Sequence, residues 1–236
     1  MGDYIHPKTG QPLGAPVEDW PARRPTSVTL KGRYGWIEKL NAGHRAALWD
    51  TINGNDAVWT YLPYGPFSEW TAFSSWLGER EQLEDPFYYA VVDPQSRAVG
   101  VIALRDVRPA MRKIEVGHIV FSASLQRTPL STEVHYLLMC YVFETLGYRR
   151  YEWRCNVLNG ASYRAATRLG FTFEGTFRQD MIVRGRNRDT AWFSMLDSEW
   201  PARKLAFQRW LAPDNFDADG RQKVSLRLLN GDPSTK

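Results

Sequence analysis

Lys113-Ile-Glu-Val-Gly-His-Ile-Val-Phe121, continued by Ser122-Ala-Ser-Leu-Gln126-Arg127-Thr128-Pro129-Leu130-Ser131-Thr132-Glu133, is the stretch that decides the fold. From 114 to 121 the residues are apolar or β-branched with little charge, the composition of a mostly buried strand. Counting in twos places Ile114, Val116, His118 and Val120 on one face, and Glu115, Gly117, Ile119 and Phe121 on the other. Thr128 is a good N-cap, and Pro129 suits the first helical position, where its missing N–H costs nothing. Beyond it, Leu130, Val134, Leu137, Leu138, Tyr141, Val142 and Leu146 recur at three- and four-residue spacing, and Gly147 ends the pattern. A strand feeding a helix whose open N-terminus carries Gln126 and Arg127 is a place to hold an anion, a phosphate foremost.

Upstream, residues 1–27 carry repeated prolines among polar residues and read as an extended arm, with Trp20 able to pin it. Residues 28–40 read as a strand pair turning at Gly32 or Gly35. Residues 42–53 have the spacing of a short helix, with Ala46, Leu48, Trp49 and Ile52 inside. An aromatic loop rich in Pro and Gly covers 59–67, and a helix with Trp70, Phe73, Trp76 and Leu77 at helical intervals covers 69–83. Strands follow at 87–92 and 98–107, joined by a turn at 93–97.

Downstream, 151–157 reads as a strand, 159–169 as a helix and 171–183 as a strand. Arg184-Gly185-Arg186-Asn187 is a hairpin tip, and 190–196 returns from it. A helix over 198–210, capped by Ser198, turns Trp200, Leu205 and Trp210 inward. In the tail, 213–236, the run 224–229 has the composition of a docking strand. One helix crossing between two neighbouring strands, amid strand pairs, implies a mixed α/β sheet.

The chain has 236 residues, enough for one substantial core. Ten Trp supply large apolar areas for a core or a pocket. A net charge of +4 without a dense Lys/Arg block fits an anionic small ligand as well as nucleic acid. Two cysteines, Cys140 and Cys155, argue against a disulfide scaffold and for reduced thiols. No run approaches the roughly 20 apolar residues of a membrane span, and the N-terminus lacks a secretory core. The expectation is a soluble, cytoplasmic protein.

Glu115 sits inside an otherwise apolar strand, where a carboxylate is costly unless it is paired, wet or used. Facing a cleft, its pKa would rise and make it a serviceable general base. It could equally be a structural salt bridge to Arg105 or Arg154 on a neighbouring strand. The segment 156–171 reads Asn-x-x-Asn-x-x-Ser, then Leu-Gly-Phe after six residues. Asn159 can cap its helix, and Ser162 shares a helical face with Ala165, Ala166 and Leu169. His118 and His135 have no second ligand at metal spacing, so no metal site is expected. Neither a Gly-rich Rossmann or P-loop fingerprint nor a Gly-x-Ser-x-Gly elbow is present.

Together these pieces resemble the Gcn5-related N-acetyltransferase (GNAT) superfamily, in the group of the ribosomal-protein N-terminal acetyltransferases RimJ and RimL and their small-molecule relatives. The resemblance covers most of 34–200. Glu115-Val-Gly-His118 matches the family's Glu-Ile-Gly-Tyr strand, and Gln126 to Glu133 its Gln-x-x-Gly-x-Ala-Thr-Glu pyrophosphate loop. Asn156 to Phe171 matches its Asn-x-x-Asn-x-x-Ser and Leu-Gly-Phe, and Glu174 to Arg178 with Arg188-Asp189 its terminal hairpin. The resemblance implies a mostly antiparallel sheet in which two parallel strands splay apart around acetyl-CoA, within residues 28–212. Pantetheine would pair with backbone at Ile119, Val120 and Phe121. The pyrophosphate would rest on Gln126, Arg127, Thr128, Leu130, Ser131 and Thr132, with Asn159 and Tyr163 touching the cofactor. Glu115 would be the base and Ser162 the acid, with Tyr163 the second choice.

Two positions depart from the family pattern: Pro129 replaces the loop glycine, and Ala166 stands where many members carry a tyrosine acid. The implied activity is direct acetyl transfer to the primary amine of a small molecule or a peptide N-terminus. The alternative is a non-catalytic acyl-CoA-binding sensor. Loop 59–67 and the hairpin at Arg184–Arg188 would shape the acceptor pocket, their aromatic and arginine content hinting at an aromatic or acidic acceptor. Nucleic acid is not an expected partner, since three arginines at a tip are ordinarily solvated. The arm and tail could serve a homodimer or simply wrap the monomer.

Overall fold

The computed structural model describes residues 4–231. Its centre is an eight-stranded sheet in the order β3-β4-β5-β6-β7-β8-β10-β9. The strands are β3 (Leu30–Lys31), β4 (Trp36–Lys39), β5 (Phe87–Val92), β6 (Ala98–Arg108), β7 (Lys113–Phe121), β8 (Arg150–Asn156), β9 (Thr172–Val183) and β10 (Arg186–Leu196). A separate small hairpin, β1 (Tyr4–Ile5) with β2 (Pro12–Leu13), lies in the N-terminal arm. Every pairing in the large sheet is antiparallel except β7 with β8, which run parallel and are joined through α3 (Pro129–Cys140).

Helices cover both faces unequally. On one side α3, α4 (Gly160–Arg168) and α5 (Trp200–Leu211) bury a core that includes Ile114, Val116, Val134, Leu138, Trp153, Phe193 and Phe207. On the other, α1 (Arg45–Ile52) and α2 (Trp70–Glu81) cover only β4 to β7, over Leu48, Ile52, Phe73, Trp76, Tyr88, Ala90, Ala103 and Val120. Strand β5 is therefore buried at all six positions, whereas β9 is almost wholly exposed. The second face of β7, β8 and β10 is left without a helix, and polar side chains crowd there.

Helix α3 starts as its sequence requires. The Ser131 N–H donates to Thr128 Oγ1 at 3.2 Å, and Pro129 takes the first turn. Its apolar stripe carries on through a π-helical turn, Tyr141–Thr145, and ends at Gly147 with φ +79°. Farther along α3, Glu133 fastens the helix to the β3–β4 turn. Its two oxygens accept the backbone N–H groups of Arg33 and Tyr34, each at 2.7 Å. A Cβ on Gly32 would collide with that carboxylate, so any side chain there would force Glu133 to move.

Regular alternation along β7 fails at one residue. His118 has φ +50°, and the β6 register slips between Val101↔Val120 and Ala103↔Gly117, so His118 and Ile119 together face Ile102. This is a β-bulge. After it the faces exchange: Ile119 and Phe121 join Ile114 and Val116 on the α3 side, while Val120 joins the α1–α2 core. The expected grouping of His118 and Val120 with Ile114 is thereby overturned, because one extra residue inverts a period of two.

Smaller differences have local causes. Ala46 and Trp70 are exposed; Leu48 and Ile52 are buried as expected, and His44 turns inward with them. On α5 the buried stripe is Trp200, Ala206, Phe207, Trp210 and Leu211, which leaves Leu205 exposed. Ser198 does not cap that helix, which begins after Glu199; the Glu199 carboxylate accepts the Leu196 N–H at 2.8 Å. The strand β10 begins at Arg186, so only Arg184 and Gly185 form the hairpin tip. Residues 226–229 form one helical turn, α6 (Leu226–Leu229), capped by Ser225, rather than a strand. A short apolar run fits either form, and the cap decides.

Segments toward each end of the described chain lie against this body. Ala22 and Arg23 donate backbone N–H groups to Pro109 O and Leu146 O at 3.1 and 2.8 Å, while Trp20 stacks on the Arg112 guanidinium at 4.4 Å. Near the other end Leu226 is fully buried, and Asn230 Nδ2 donates to Arg168 O at 3.0 Å.

Candidate active site

The parallel ladder between β7 and β8 runs only from Lys113↔Arg150 to Val116↔Trp153. Beyond that point β7 continues to Phe121 and β8 to Asn156 without pairing to each other. The bulge at His118 bends β7 away, and a wedge opens between the strands with the start of α3 at its mouth. The backbone of Ile119, Val120 and Phe121 faces that gap on its β8 edge, which leaves ladder groups for an extended ligand to pair with.

The α3 side of the wedge is lined by Phe121, His135, Trp153 and Ser162. The His135 ring lies 5.9 Å from the Phe121 ring and 5.3 Å from that of Trp153, and the Trp153 indole donates to Ser162 Oγ at 3.0 Å. Burial and the Arg168 charge push His135 down to about 3, so it is a neutral imidazole. Its Nδ1 has no partner among the described residues, an orphaned polar atom beside the gap. Sequence reading used His135 only to dismiss a metal and did not single out Trp153. Their meeting depends on the α3 crossover, which no local pattern displays.

The loop residues divide by exposure. Gln126 and Arg127 are exposed, Thr128 and Ser131 are half-buried, and Leu130 and Thr132 are buried. Arg127 sits at φ +62°, a conformation uncommon outside glycine and stored at the mouth of the wedge. Gln126 Nε2 donates to Phe121 O at 2.9 Å, which ties loop to strand. The Thr132 hydroxyl accepts from Arg168 at 2.9 Å and points into the body, and the Ser131 N–H is already engaged by Thr128. The groups left open to an anion at this end include the Arg127 guanidinium, the Leu130 N–H and the helix dipole. Asn159 caps α4, accepting from the Ser162 N–H at 3.1 Å, while Tyr163 packs between Phe173 and Phe193 at 5.6 and 4.9 Å.

On the opposite face stands Glu115, 2 % exposed. Arg154 of β8 pairs with it directly, and Arg105 Nε lies 3.7 Å away. Burial pushes its carboxyl up, although Arg105 and Arg154 pull it down. The salt bridge expected from the sequence is present, with both arginines, and Glu115 lies on the last paired stretch of β7 before the strands part. Beside it His118 Nδ1 shares a hydrogen bond with the Tyr64 hydroxyl at 2.7 Å, and Tyr88 stands 5.4 Å from its ring. Burial, with Arg105 and Arg80 nearby, lowers His118 to about 3 and keeps it uncharged. The hairpin tip closes over this corner, since Arg184 donates to the carbonyls of Tyr64 and Gly65.

A splayed parallel pair, a capped helix at its mouth and a buried glutamate at its side recur in one family, whose acetyltransferase (GNAT) domain profile matches residues 36–172. This chain belongs to the GNAT acetyltransferase family. A GNAT protein from Brucella melitensis has a crystal structure that superposes with a TM-score of 0.88. The two are 45% identical, and the match takes in 90% of this chain and 98% of that one. A GNAT acetyltransferase from Chromobacterium violaceum is 44% identical over 84% of this chain and 99% of its own, with a TM-score of 0.74. YdaF of Bacillus subtilis, named as a ribosomal N-acetyltransferase, is 30% identical over 105 residues. That alignment covers 44% of this chain and 57% of YdaF.

GNAT acetyltransferases use acetyl-CoA as co-substrate, and the wedge suits it. Unpaired strand backbone can meet the pantetheine amides, and the α3 terminus with Arg127 can meet the pyrophosphate. Among the described residues no helix is long and apolar enough to cross a membrane, and no group of three or more His, Cys, Asp or Glu is placed to hold a metal.

Proposed function

We propose that this chain transfers the acetyl group of acetyl-CoA to a primary amine, on a small molecule or a peptide N-terminus, as the RimJ/RimL-like group does. The observation that carries the reading is Glu115, a buried carboxylate on β7 just before the point where β7 and β8 part. Acetyl-CoA supplies an activated thioester. Glu115 takes a proton from the acceptor ammonium, directly or through a water, and its raised pKa favours that role. The freed amine forms the amide bond as the carbon–sulfur bond breaks. Ser162, on the α3 side, returns a proton to the departing thiolate, with its oxygen oriented by the Trp153 indole. The Arg127 guanidinium and the Leu130 N–H seat the pyrophosphate, and Asn159 borders the pantetheine arm.

Release of free CoA, followed with a panel of amines for the parent and Glu115→Gln, tests this. Amine-dependent release that falls about 10²- to 10⁴-fold in the variant is expected for a general base. Binding of acetyl-CoA with turnover of no amine would replace the proposal by the acyl-CoA sensor, a reading that the Glu115–Arg154 ion pair keeps alive.

A further inference from the structure

Around Glu115 the open face of the sheet holds more positive charge than it neutralises. Three guanidiniums converge there, from Arg105 on β6, Arg154 on β8 and Arg188 on β10. Arg154 pairs with Glu115 and donates to Asp106 Oδ2 at 3.0 Å, which leaves its buried Nε without a hydrogen bond among the described residues. Arg105 Nε is likewise buried without a hydrogen bond among the described residues; it lies at an ion-pair distance of 3.7 Å from Glu115, and the side chain is 39 % exposed. Half-buried Arg188 donates its Nε–H to the Thr190 hydroxyl at 3.2 Å. Each guanidinium has five N–H donors, so both forks keep donors to spare.

Most of the nearby anions are already taken, although Asp180 also acts on Arg188. Asp106 serves Arg154, Arg108 and Lys113, and Glu152 serves Arg150 and Lys113. Guanidinium donors left unspent on a half-buried face are open to a ligand that supplies acceptors. Gly117 allows the arrangement, because a Cβ there would stand 2.9 Å from Arg105 Cδ, so the arginine stem lies flat across β7.

We propose that the acceptor amine carries a carboxylate, which Arg105 and Arg188 clamp while its ammonium turns toward Glu115. The inference rests on the transferase reading above and names its substrate class, an amino acid or an acid-bearing peptide terminus. The same surplus of positive charge disfavours polyamines, whose second ammonium would meet arginine instead of carboxylate.

The test compares three acceptors that share one side chain: an amino acid, its methyl ester and the corresponding decarboxylated amine. The expected result is a kcat/KM about 10- to 100-fold higher for the free acid, the range of a charge-assisted hydrogen-bonded contact. In Arg105→Gln and Arg188→Gln that ratio falls toward one, and in Arg188→Lys part of it returns. A merely structural arginine would lower all three acceptors together and leave the ratio standing. Arg188 is at the half-exposed hairpin, so its variants report even where Arg105→Gln fails to fold. Equal rates for acid and ester, or a preference for the ester or the bare amine, overturn the inference and leave the transferase reading intact. Turnover of no amine at all overturns that reading instead.

Discussion

Glu133→Gln isolates the contact that holds the cofactor helix to the first strand pair. Each carboxylate oxygen accepts one backbone N–H, from Arg33 and from Tyr34, both at 2.7 Å, and the residue is 4 % exposed. Glutamine keeps one acceptor and turns an amide NH₂ toward the other N–H. One buried donor is left unsatisfied and the surviving bond loses its charge, together about 2–3 kcal/mol. For a domain of this size each kcal/mol lowers Tm by about 2–4 °C, so the expected drop is about 4–12 °C. Thermal unfolding followed by far-UV circular dichroism, parent against variant in one buffer, measures it. A Tm within about 1 °C of the parent would refute the role given to Glu133. A double-mutant cycle sharpens the point. Gly32→Ala collides with Glu133 in the parent but has room once Glu133→Ala is made, so the two substitutions should be strongly non-additive.

Two further predictions concern the second face and the acid. Two bonds from Arg150, helped by the Ser194 hydroxyl, hold the Glu174 carboxyl down at about 2, well below its ordinary 4.5. Its stabilising effect is therefore complete above about pH 4.5 and fades as pH falls toward 2, and solvent screening keeps it under about 1 kcal/mol. Urea midpoints taken between pH 6 and pH 3 should slope less steeply in Glu174→Gln than in the parent, and equal slopes would count against the ion pair. Ser162→Ala orphans the Trp153 indole N–H and should cost about 1–3 kcal/mol in urea unfolding. If Ser162 is the acid, kcat falls while the KM for acetyl-CoA holds; an unchanged kcat would move the role elsewhere.

Much of this architecture could be read from residues close together in the chain. Thr128, Pro129 and the apolar stripe that follows announce α3 and its open end, because caps and helical period are local properties. The strand carrying Glu115 and the helix carrying Ser162 are likewise visible in their own composition. What escaped the sequence depends on partners far away. A positive φ at His118 leaves no mark on an otherwise regular strand, so the exchange of faces after it could not be foreseen. Nor could the row from Phe121 through His135 to Trp153, which three separate elements bring together. Arg105 and Arg154 were recognisable as candidates for Glu115 only as a choice between two. That both approach it, with Arg188 added from the hairpin, follows from strand register. Leu205 and the turn at 226–229 show the converse limit, where local composition admits two answers and packing selects one.

The surplus residue in β7 has a consequence for how the pocket can change. Its opening is created by backbone arithmetic, one position too many against β6, and not by the bulk of any flanking group. Side chains around the opening are therefore free to be exchanged for new acceptors without closing it. Excising His118, by contrast, would restore strict alternation and let the two strands meet farther along, so a single-codon deletion there should abolish the cleft while most of the hydrophobic interior survives.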